Sequence, residues 1–330
     1  MSSGKKITIL ALLIVIVIIS SVFLWLELYK NNIESFASVK QSEISKIEKK
    51  PEIKSEKKTI SILFLGDLMA DRYIRQTIDK KGVDYIFSGT RDLLKSEDLV
   101  VANLEGPITN NNSISVNTIP GERSHLIFTF DPSLAPILAQ ENIKVVNIGN
   151  NHIANFGADG KTQTKESLEK NNIEYFGDTG ENEFLIKEIG GIKIGFVNYN
   201  QFFSGSLDRT LENIKNVRLQ ADIVVVYTHW GTEYKTELTE NIKNLGRKFI
   251  DDGADLVIGT HPHVVEPMEE YKGKRIYYSL GNYIFDQYFS QETKKGLAVE
   301  VGIDAQTKKM KFNDINLKLE TNGQTSINTL

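Results

Sequence analysis

Residues 59–67 read TISILFLGD, a β-branched apolar run that ends in Gly-Asp. This pattern is typical of a buried strand that places a polar residue at its carboxyl end. Comparable runs follow at 99–105, 144–150, 192–200, 221–231, 254–261 and 275–282. Helical patterns lie between several of these runs, at 84–98, 161–172 and 237–254. Strands that alternate with helices of this length predict βαβ units and an α/β fold with a largely parallel core sheet.

The last part of the chain follows a different pattern. The segments GLAVEVGID (296–304) and KMKFNDINLKLE (309–320) alternate apolar and polar residues. Alternation of this kind is typical of antiparallel strands with one solvated face. We therefore expect antiparallel strands after the parallel ones.

Polar side chains stand at the ends of five predicted strands. They are Asp67, Glu105, the Asn150-Asn151-His152 run, His229, and the pair His261 and His263. These positions include four of the five histidines in the chain, all except His125. Ligands of parallel α/β sheets bind outside the carboxyl ends of the strands. If the sheet is parallel, these side chains converge on one edge.

The residue types at these positions indicate a metal site. Imidazole, carboxylate and amide oxygen ligands suit Zn, Mn or Fe, and we expect one or two divalent ions. Two ions about 3.5–4 Å apart can hold a phosphoryl group and generate hydroxide from bound water. The alternative for each residue taken alone is a helix cap or a turn, since Asp and Asn are common in both.

The segment His261-Pro262-His263 gives a second indication. On an extended backbone, residues i and i+2 face the same side, so both rings could reach one metal centre. Pro262 fixes its own φ and would stiffen the pair.

The N-terminal segment predicts a membrane anchor. Residues 7–26 carry no charge and are nearly all apolar, a length that covers the ~30 Å hydrocarbon core as a helix. Trp25 and Tyr29 lie where interfacial aromatic residues are common. The alternative is a cleaved signal peptide, but the apolar run is long and no small-residue cleavage pattern follows it. Lys5 and Lys6 precede the span, which favours a cytoplasmic N-terminus and an extracellular domain.

The domain organisation follows from this segment. We expect an N-terminal transmembrane anchor at 1–29, a flexible charged linker at 30–57 and one domain at 58–330. The expected location is the cell membrane, with a single pass and the C-terminal domain outside. The net charge of −4 and the absence of a basic patch argue against a nucleic-acid partner. The chain has no cysteine, which excludes a lipoprotein anchor.

Six motifs together resemble the bacterial CapA family, the poly-γ-glutamate capsule synthesis proteins of the calcineurin-like metallophosphoesterase superfamily. They are GDLMADR (66–72), ANLEGPIT (102–109), GNNHIANFG (149–157), HWGTEY (229–234), GTHPHVVEP (259–267) and YSLGNYIFDQ (278–287). The resemblance implies a four-layer α/β-β/α metallophosphoesterase-like sandwich, here preceded by one transmembrane helix.

The resemblance also assigns roles to the candidate residues. The implied metal ligands are Asp67, Glu105, Asn151, His229, His261 and His263. Of these, Asp67 and His263 match ligands of the first metal, Glu105 a bridging carboxylate, and the others ligands of the second metal. The candidate catalytic residues are His152, Asn150 and Arg72. His152 matches the histidine that assists the leaving group, where an imidazole with an ordinary pKa near 6.5 can act as a general acid.

Three positions depart from the superfamily pattern. Met69 stands where phosphoesterases usually have the His of Asp-x-His, and Glu105 replaces the usual bridging Asp. Asn155 stands where the family commonly has Asp, which removes a negative charge near His152. The first two departures place two-metal hydrolysis in question.

Three functions agree with these features. The first is a membrane-anchored extracellular CapA-like protein that takes part in poly-γ-glutamate biosynthesis or export through the metal site. Its partners would be the anionic polymer and a membrane synthase complex, with Arg72 and then Arg123 as candidate polymer contacts. The alternatives are an extracellular metallophosphoesterase or hydrolase of a small ester, and a non-catalytic scaffold for a membrane synthase.

Three more polar residues have two interpretations each. Glu233 either holds His229 or is an ordinary surface carboxylate. Asn282 and Asp286 either orient the site histidines or fix a loop.

Overall fold

The computed structural model describes residues 19–34 and 59–328. The chain divides into two compact units, Met1–Glu56 and Lys57–Leu330. In the first unit, helix α1 covers residues 19–34, where the rings of Trp25 and Tyr29 stack with centroids 5.5 Å apart. The described residues contain no helix that is both long and apolar enough to cross a membrane. The predicted span at 7–26 and the predicted linker at 30–57 lie largely outside the described residues.

The second unit contains two β-sheets. The first sheet has the strand order β14-β13-β12-β1-β2-β3-β4, with β11 paired to β1. Its strands are β1 (Thr59–Leu68), β2 (Leu99–Leu104), β3 (Ile143–Asn147), β4 (Glu174–Phe176), β11 (Asn282–Ile284), β12 (Lys295–Asp304), β13 (Met310–Leu319) and β14 (Thr325–Ile327). Strands β1 to β4 are parallel, whereas β12 to β14 are antiparallel, as predicted for the last segments.

The second sheet has the strand order β5-β6-β7-β8-β10-β9. Its strands are β5 (Phe184–Ile189), β6 (Ile192–Asn200), β7 (Ile223–His229), β8 (Leu256–Thr260), β9 (Met268–Tyr271) and β10 (Lys274–Tyr277). Strands β6, β7, β8 and β10 are parallel. The expectation of largely parallel pairing is therefore confirmed, but the strands are divided between two sheets.

Helices cover the outer faces of both sheets. They are α2 (Arg72–Lys81), α3 (Arg91–Ser96), α4 (Leu134–Gln140), α5 (Gly157–Lys170), α6 (Ser206–Arg218) and α7 (Glu240–Asp251), with 3-10 helices at Val83–Phe87 and Arg123–Leu126. The amphipathic pattern of α7 buries Ile242 and Phe249 against the second sheet. Thr239 caps this helix, because its hydroxyl accepts a hydrogen bond from the backbone N–H of Ile242.

Three apolar clusters hold the layers together. One joins helices α2 to α5 to the first sheet, and another joins α6 and α7 to the second sheet. The third lies between the sheets and includes Phe64 from β1, Phe196 from β6 and Tyr227 from β7. Two facing sheets with helices outside form an α/β sandwich, which confirms the layered architecture predicted for this unit.

Candidate metal centre

The predicted site residues converge, but from two sheets and not from one edge. Asp67 and Glu105 lie at the ends of β1 and β2 in the first sheet, and His229 ends β7 in the second. His261 and His263 follow β8. All five side chains are buried. The expectation of one shared edge is wrong because the sandwich brings the strand ends of both sheets together.

The His-Pro-His segment is not extended. The φ angle is +97° at His261 and +59° at His263, values that side-chain-bearing residues seldom adopt. The prediction that an extended backbone places both rings at one centre is therefore wrong. The two rings instead enter two adjacent clusters of donor atoms. Backbone strain of this kind costs about 1–3 kcal/mol per residue and concentrates at functional sites.

The first cluster consists of Asp67, Glu105 and His263. One ligand atom from each lies within 4.8 Å of the others. The Nδ1 atom of His263 is 3.3 Å from Asp67 Oδ2, and its Nε2 atom is 3.6 Å from Glu105 Oε1. Two carboxylates and one imidazole form a donor set that suits Zn, Mn or Fe.

Glu105 gives the strongest sign that a cation belongs here. Both of its carboxylate oxygens are buried, and neither has a hydrogen-bond partner among the described residues. Burial raises the pKa of Glu105 well above its ordinary value, and the nearby carboxylates of Asp67 and Glu233 raise it further. An ionised carboxylate without a partner is costly to bury, and a metal ion removes that cost. Burial also opposes ionisation of Asp67, but the hydrogen bond and charge of His263, together with the hydrogen bonds from Asn103 and the His261 N–H, outweigh it and lower the Asp67 pKa.

The surrounding amides determine which nitrogen of His263 can bind a metal. Asn282 directs its Nδ2 atom to the carbonyl oxygens of His263 and Thr293, so its Oδ1 atom is the acceptor. His263 Nδ1 lies 3.0 Å from that Oδ1 and therefore donates to it. In the neutral, metal-binding form of the ring, the lone pair is then on Nε2, the atom that faces Glu105. Asn282 thus orients a site histidine and also fixes the loop, which unites the two interpretations of this residue.

The second cluster consists of Asn151, His229 and His261. His229 Nε2 is 2.8 Å from Asn151 Oδ1 and 3.2 Å from His261 Nδ1. The Oγ1 atom of Thr260 donates to Thr228 O, so it accepts from His229 Nδ1 at 3.1 Å. This arrangement leaves the lone pair of His229 on Nε2, directed at the cluster.

The histidines of the second cluster are neutral at physiological pH. Burial and the neighbouring His263 together lower the pKa of His261 to about 3. Burial and the facing His261 also lower the pKa of His229 well below its ordinary value. Neutral imidazole is the metal-binding form, so these two histidines would release no proton on binding an ion at pH 7.

Asn103 is a site residue that the sequence analysis missed. Its Nδ2 atom donates to Asp67 Oδ1 at 2.8 Å and lies 3.4 Å from His229 Nδ1. Its Oδ1 atom accepts from Asn147 and Asn150. Asn103 therefore connects both clusters. The only sequence signal is the polar character of a residue inside an otherwise apolar strand.

The Asn150-Asn151-His152 turn places its three side chains differently. Asn150 donates to Leu104 O at 2.8 Å and accepts from the backbone N–H groups of His152 and Ile153, so it fixes the turn. His152 Nδ1 lies 3.1 Å from Asn155 Oδ1, while its Nε2 is 3.8 Å from Glu105 Oε1.

The environment of His152 changes its expected chemistry. Asn155 Oδ1 also accepts from the backbone N–H of Phe128, which identifies it as the acceptor for His152 Nδ1. Burial lowers the pKa of His152 to about 4, although the bond to Asn155 opposes this. At neutral pH the imidazole is therefore neutral, with an unprotonated Nε2 that accepts hydrogen bonds.

Arg72 lies beside the first cluster and is 6% exposed. Its guanidinium forms an ion pair with Asp286 and contacts His125 Nε2 at 2.9 Å. It also lies over the rings of Phe128 and Phe285, at 5.1 and 5.3 Å from their centroids. Asp286 thus holds Arg72 and contacts none of the site histidines.

The contacts of Met69 and Glu233 bear on what the sequence predicts for these two residues. Met69 directs its sulfur to the backbone N–H of Asp71 at 3.0 Å and does not join the donor cluster. Glu233 does not hold His229, because Thr260 occupies the Nδ1 position of that ring. The interpretation of Glu233 as a partner of His229 is therefore wrong.

Binding of an ion at the first cluster should release about one proton and should tighten as pH rises, whereas binding at the second cluster should release none. The released proton comes from Glu105, because its raised pKa favours the protonated carboxyl group in the metal-free protein, while His229 and His261 are already neutral. Calorimetric titration of the full chain with Mn²⁺, in two buffers of different ionisation enthalpy, measures this number. Identical binding enthalpies in the two buffers would contradict the assignment.

The two-sheet sandwich and its buried carboxylate and imidazole clusters define the class, an α/β protein with a candidate divalent-metal centre. The model of the family described as "Bacterial capsule synthesis protein PGA_cap" matches residues 61–287, more than half of the sequence. The chain belongs to this bacterial capsule synthesis family, which confirms the CapA resemblance.

Two sequence relatives, both from Bacillus, agree with this membership. The PGA biosynthesis protein CapA of Bacillus subtilis (strain 168) is 30% identical over 72% of this chain and 66% of that protein. The capsule biosynthesis protein CapA of Bacillus anthracis is 28% identical over 73% of this chain and 64% of that protein. The chain thus aligns with slightly less than two thirds of either relative. A 5'-nucleotidase from Candida albicans SC5314 has a TM-score of 0.43 at 13% identity, covering 80% of this chain and 52% of that one.

Proposed function

We propose that this protein takes part in the biosynthesis or export of poly-γ-glutamate and acts through a divalent-metal site. The observation that carries this proposal is the extent of the family match. Residues 61–287 include every candidate metal ligand and every candidate catalytic residue. The relatives from Bacillus subtilis and Bacillus anthracis are described as PGA and capsule biosynthesis proteins. We extend that role to this chain as a proposal.

The proposal also includes a location for the protein and a fold class for its globular unit. The uncharged residues 7–26 would anchor the chain in the cell membrane with its globular unit outside. There the unit could meet the anionic polymer and a membrane synthase complex. We assign the sandwich to the metallophosphoesterase-like type on the motifs and on the positions of the two donor clusters.

The proposed chemistry follows from the donor atoms. Asp67, Glu105 and His263 would hold one ion, and a second would take Asn151, His229 and His261. When bound, such ions polarise an oxyanion and lower the pKa of bound water. The neutral His152 would accept a proton at Nε2.

A small-ester hydrolase is a second candidate function. Two donor clusters lie side by side, with the His261 and His263 ring centroids 5.9 Å apart. The unprotonated Nε2 atom of His152 is directed at Glu105 in the first cluster. A purely structural metal site would require neither feature, so both favour catalysis over a scaffold.

The test is a chromosomal Glu105→Gln substitution in the bacterium that encodes this chain, with Glu266→Gln as the matched control. We expect γ-glutamyl polymer, measured as glutamate after acid hydrolysis of the washed capsule fraction, to fall at least tenfold in the first strain only. Unchanged polymer in the Glu105→Gln strain would reject the role in polymer production. If the purified chain then hydrolyses a chromogenic phosphodiester, and Glu105→Gln stops this, the hydrolase function replaces it.

A further inference from the structure

A groove of about 730 Å³ opens beside the candidate metal centre. Its walls combine charged and apolar side chains. They are Arg72, Pro120, Gly121, Glu122, Arg123, His125, Leu126, Glu233, Tyr234, Asp286, Gln287 and Phe289. The groove adjoins the first cluster at Tyr234, whose ring stacks on His263 with centroids 5.9 Å apart.

The charges of the groove do not suit a polyanion. Two arginines face three carboxylates, those of Glu122, Glu233 and Asp286. Arg72 is already paired with Asp286. Arg123 is therefore the one arginine of this wall that forms no ion pair with another described residue. A chain of closely spaced carboxylates would meet uncompensated repulsion here. The groove is therefore better matched to an uncharged part of a ligand.

The apolar side chains of the groove are unusually exposed. Phe289 is 66% exposed and Leu126 is 56% exposed, although both are large hydrophobic residues. Phe289 packs edge-on against Tyr234, with ring centroids 5.1 Å apart. Apolar surface that lines a groove next to polar groups is a common property of ligand sites.

Tyr234 is held in place against this apolar wall. Its φ angle is +61°, its backbone N–H donates to Pro262 O at 2.8 Å, and its hydroxyl accepts from Gln287 at 3.1 Å. Gln287 in turn accepts from Asn282, which orients His263. The ring that forms the groove wall is thus fixed to the same network as a candidate metal ligand. Such preorganisation lowers the entropic cost of binding.

We propose that this groove binds an uncharged ring or apolar group attached to an oxyanion at the metal centre, with Phe289 and Tyr234 as the selecting wall. This inference rests on the metal site of the proposed function, because a bound metal would place the oxyanion, and it favours the small-ester function of that site over the polymer. The oxyanion can be a phosphoryl group or a carboxylate. Aromatic rings on the ligand would pack against the two wall residues in offset or edge-on geometry.

The test compares matched anions on the Mn²⁺-loaded full chain by calorimetric titration. The probes are phenylphosphonate against methylphosphonate, and benzoate against acetate, which separate the phosphoryl and carboxylate sources. We expect the ring-bearing member of at least one pair to bind about tenfold more tightly. Phe289→Ala should reduce that preference to about threefold or less. Tyr234→Phe keeps the ring and should retain the preference, as should Leu219→Ala at an exposed position elsewhere.

The outcomes separate this inference from the proposed function. Absence of Mn²⁺ binding would remove the proposed function. Normal metal and methylphosphonate binding with no preference for either ring-bearing anion would overturn the groove assignment alone. A preference that survives Phe289→Ala would overturn it too, as would tighter binding of a γ-linked glutamate trimer than of phenylphosphonate.

Discussion

Replacing Glu105 by Gln should weaken metal binding by more than about a hundredfold while making the metal-free protein more stable. The first effect follows because replacing a residue that only supports a metal ligand already lowers metal affinity about 10–100-fold, and Glu105 is itself a candidate ligand. The second follows because both of its buried oxygens are unpartnered in the described part of the chain. Calorimetric titration with Mn²⁺ measures the first effect, and thermal unfolding in a chelating buffer measures the second.

The stability gain of Glu105→Gln should depend on pH with a definite sign. A carboxyl group whose pKa is raised on folding favours the folded state at low pH. Its contribution is lost as pH rises from the ordinary value of 4.5 through the raised value. Because Gln does not titrate, the advantage of the variant should grow over that range. We expect about 1–2 kcal/mol near pH 8, or roughly 2–4 °C in Tm for each kcal/mol.

Glu266→Gln is the matched control for this prediction. Glu266 is also buried, and its Oε2 atom has no hydrogen-bond partner within residues 19–34 and 59–328. Burial raises its pKa to about 8, but it lies outside the metal cluster. It should therefore reproduce part of the stability gain and leave the metal affinity unchanged. Equal loss of metal affinity in both variants, or normal affinity in Glu105→Gln, would show that Glu105 is not a ligand.

The strand pattern of the sandwich could be predicted wherever apolar runs were bounded by turn residues. Residues 192–200 were expected as a strand and form β6 with the same bounds. Strand β4 was missed because it has three residues, too few for a recognisable period. The division into two sheets was predicted only from the CapA resemblance. It left no local signal in the apolar runs, because it depends on how buried faces pack over long sequence separations.

Tertiary contacts overrode the predicted helix at 84–98. The segment instead forms the 3-10 helix Val83–Phe87 and the short helix Arg91–Ser96. Gly89 lies between them and packs closely against β14, where an added Cβ would be 2.4 Å from Thr325 O. Helical propensity is a weak preference, and a close backbone contact of this kind outweighs it.

The site was predicted at its strand ends and missed in its strand interiors. Asp67 could be located because a polar residue directly follows an apolar run. Asn103 could not, because its role depends on the register that pairs it with Asp67 across β1 and β2. The left-handed backbone at His261 and His263 was equally inaccessible, since a positive φ angle is uncommon for any residue other than glycine.

Gly66→Ala should destabilise the protein by about 3 kcal/mol or more and reduce metal occupancy in the fraction that folds. Gly66 precedes Asp67, and a Cβ at this position would lie 1.9 Å from Gly281 O. That contact cannot be relieved by a side-chain rotation, because the obstacle is backbone. The same carbonyl accepts the backbone N–H of Asp67 at 3.0 Å, so moving it also displaces a candidate metal ligand. Overpacking in a closed interior costs about 1–3 kcal/mol, more where backbone must move.

Gly302→Ala distinguishes this steric argument from a general cost of replacing strand glycines. Gly302 lies in β12, the strand that pairs with β1. The atom nearest to a Cβ added at this position would be Thr59 Cγ2, at an ordinary contact distance of 3.6 Å. Alanine there should be neutral or slightly stabilising, since it lowers the entropy of the unfolded chain. Thermal unfolding and metal analysis of both variants test the pair. If both variants lower Tm equally, or if Gly66→Ala keeps full Mn²⁺ occupancy and stability, then the close contact between Gly66 and the Gly281 carbonyl does not position Asp67.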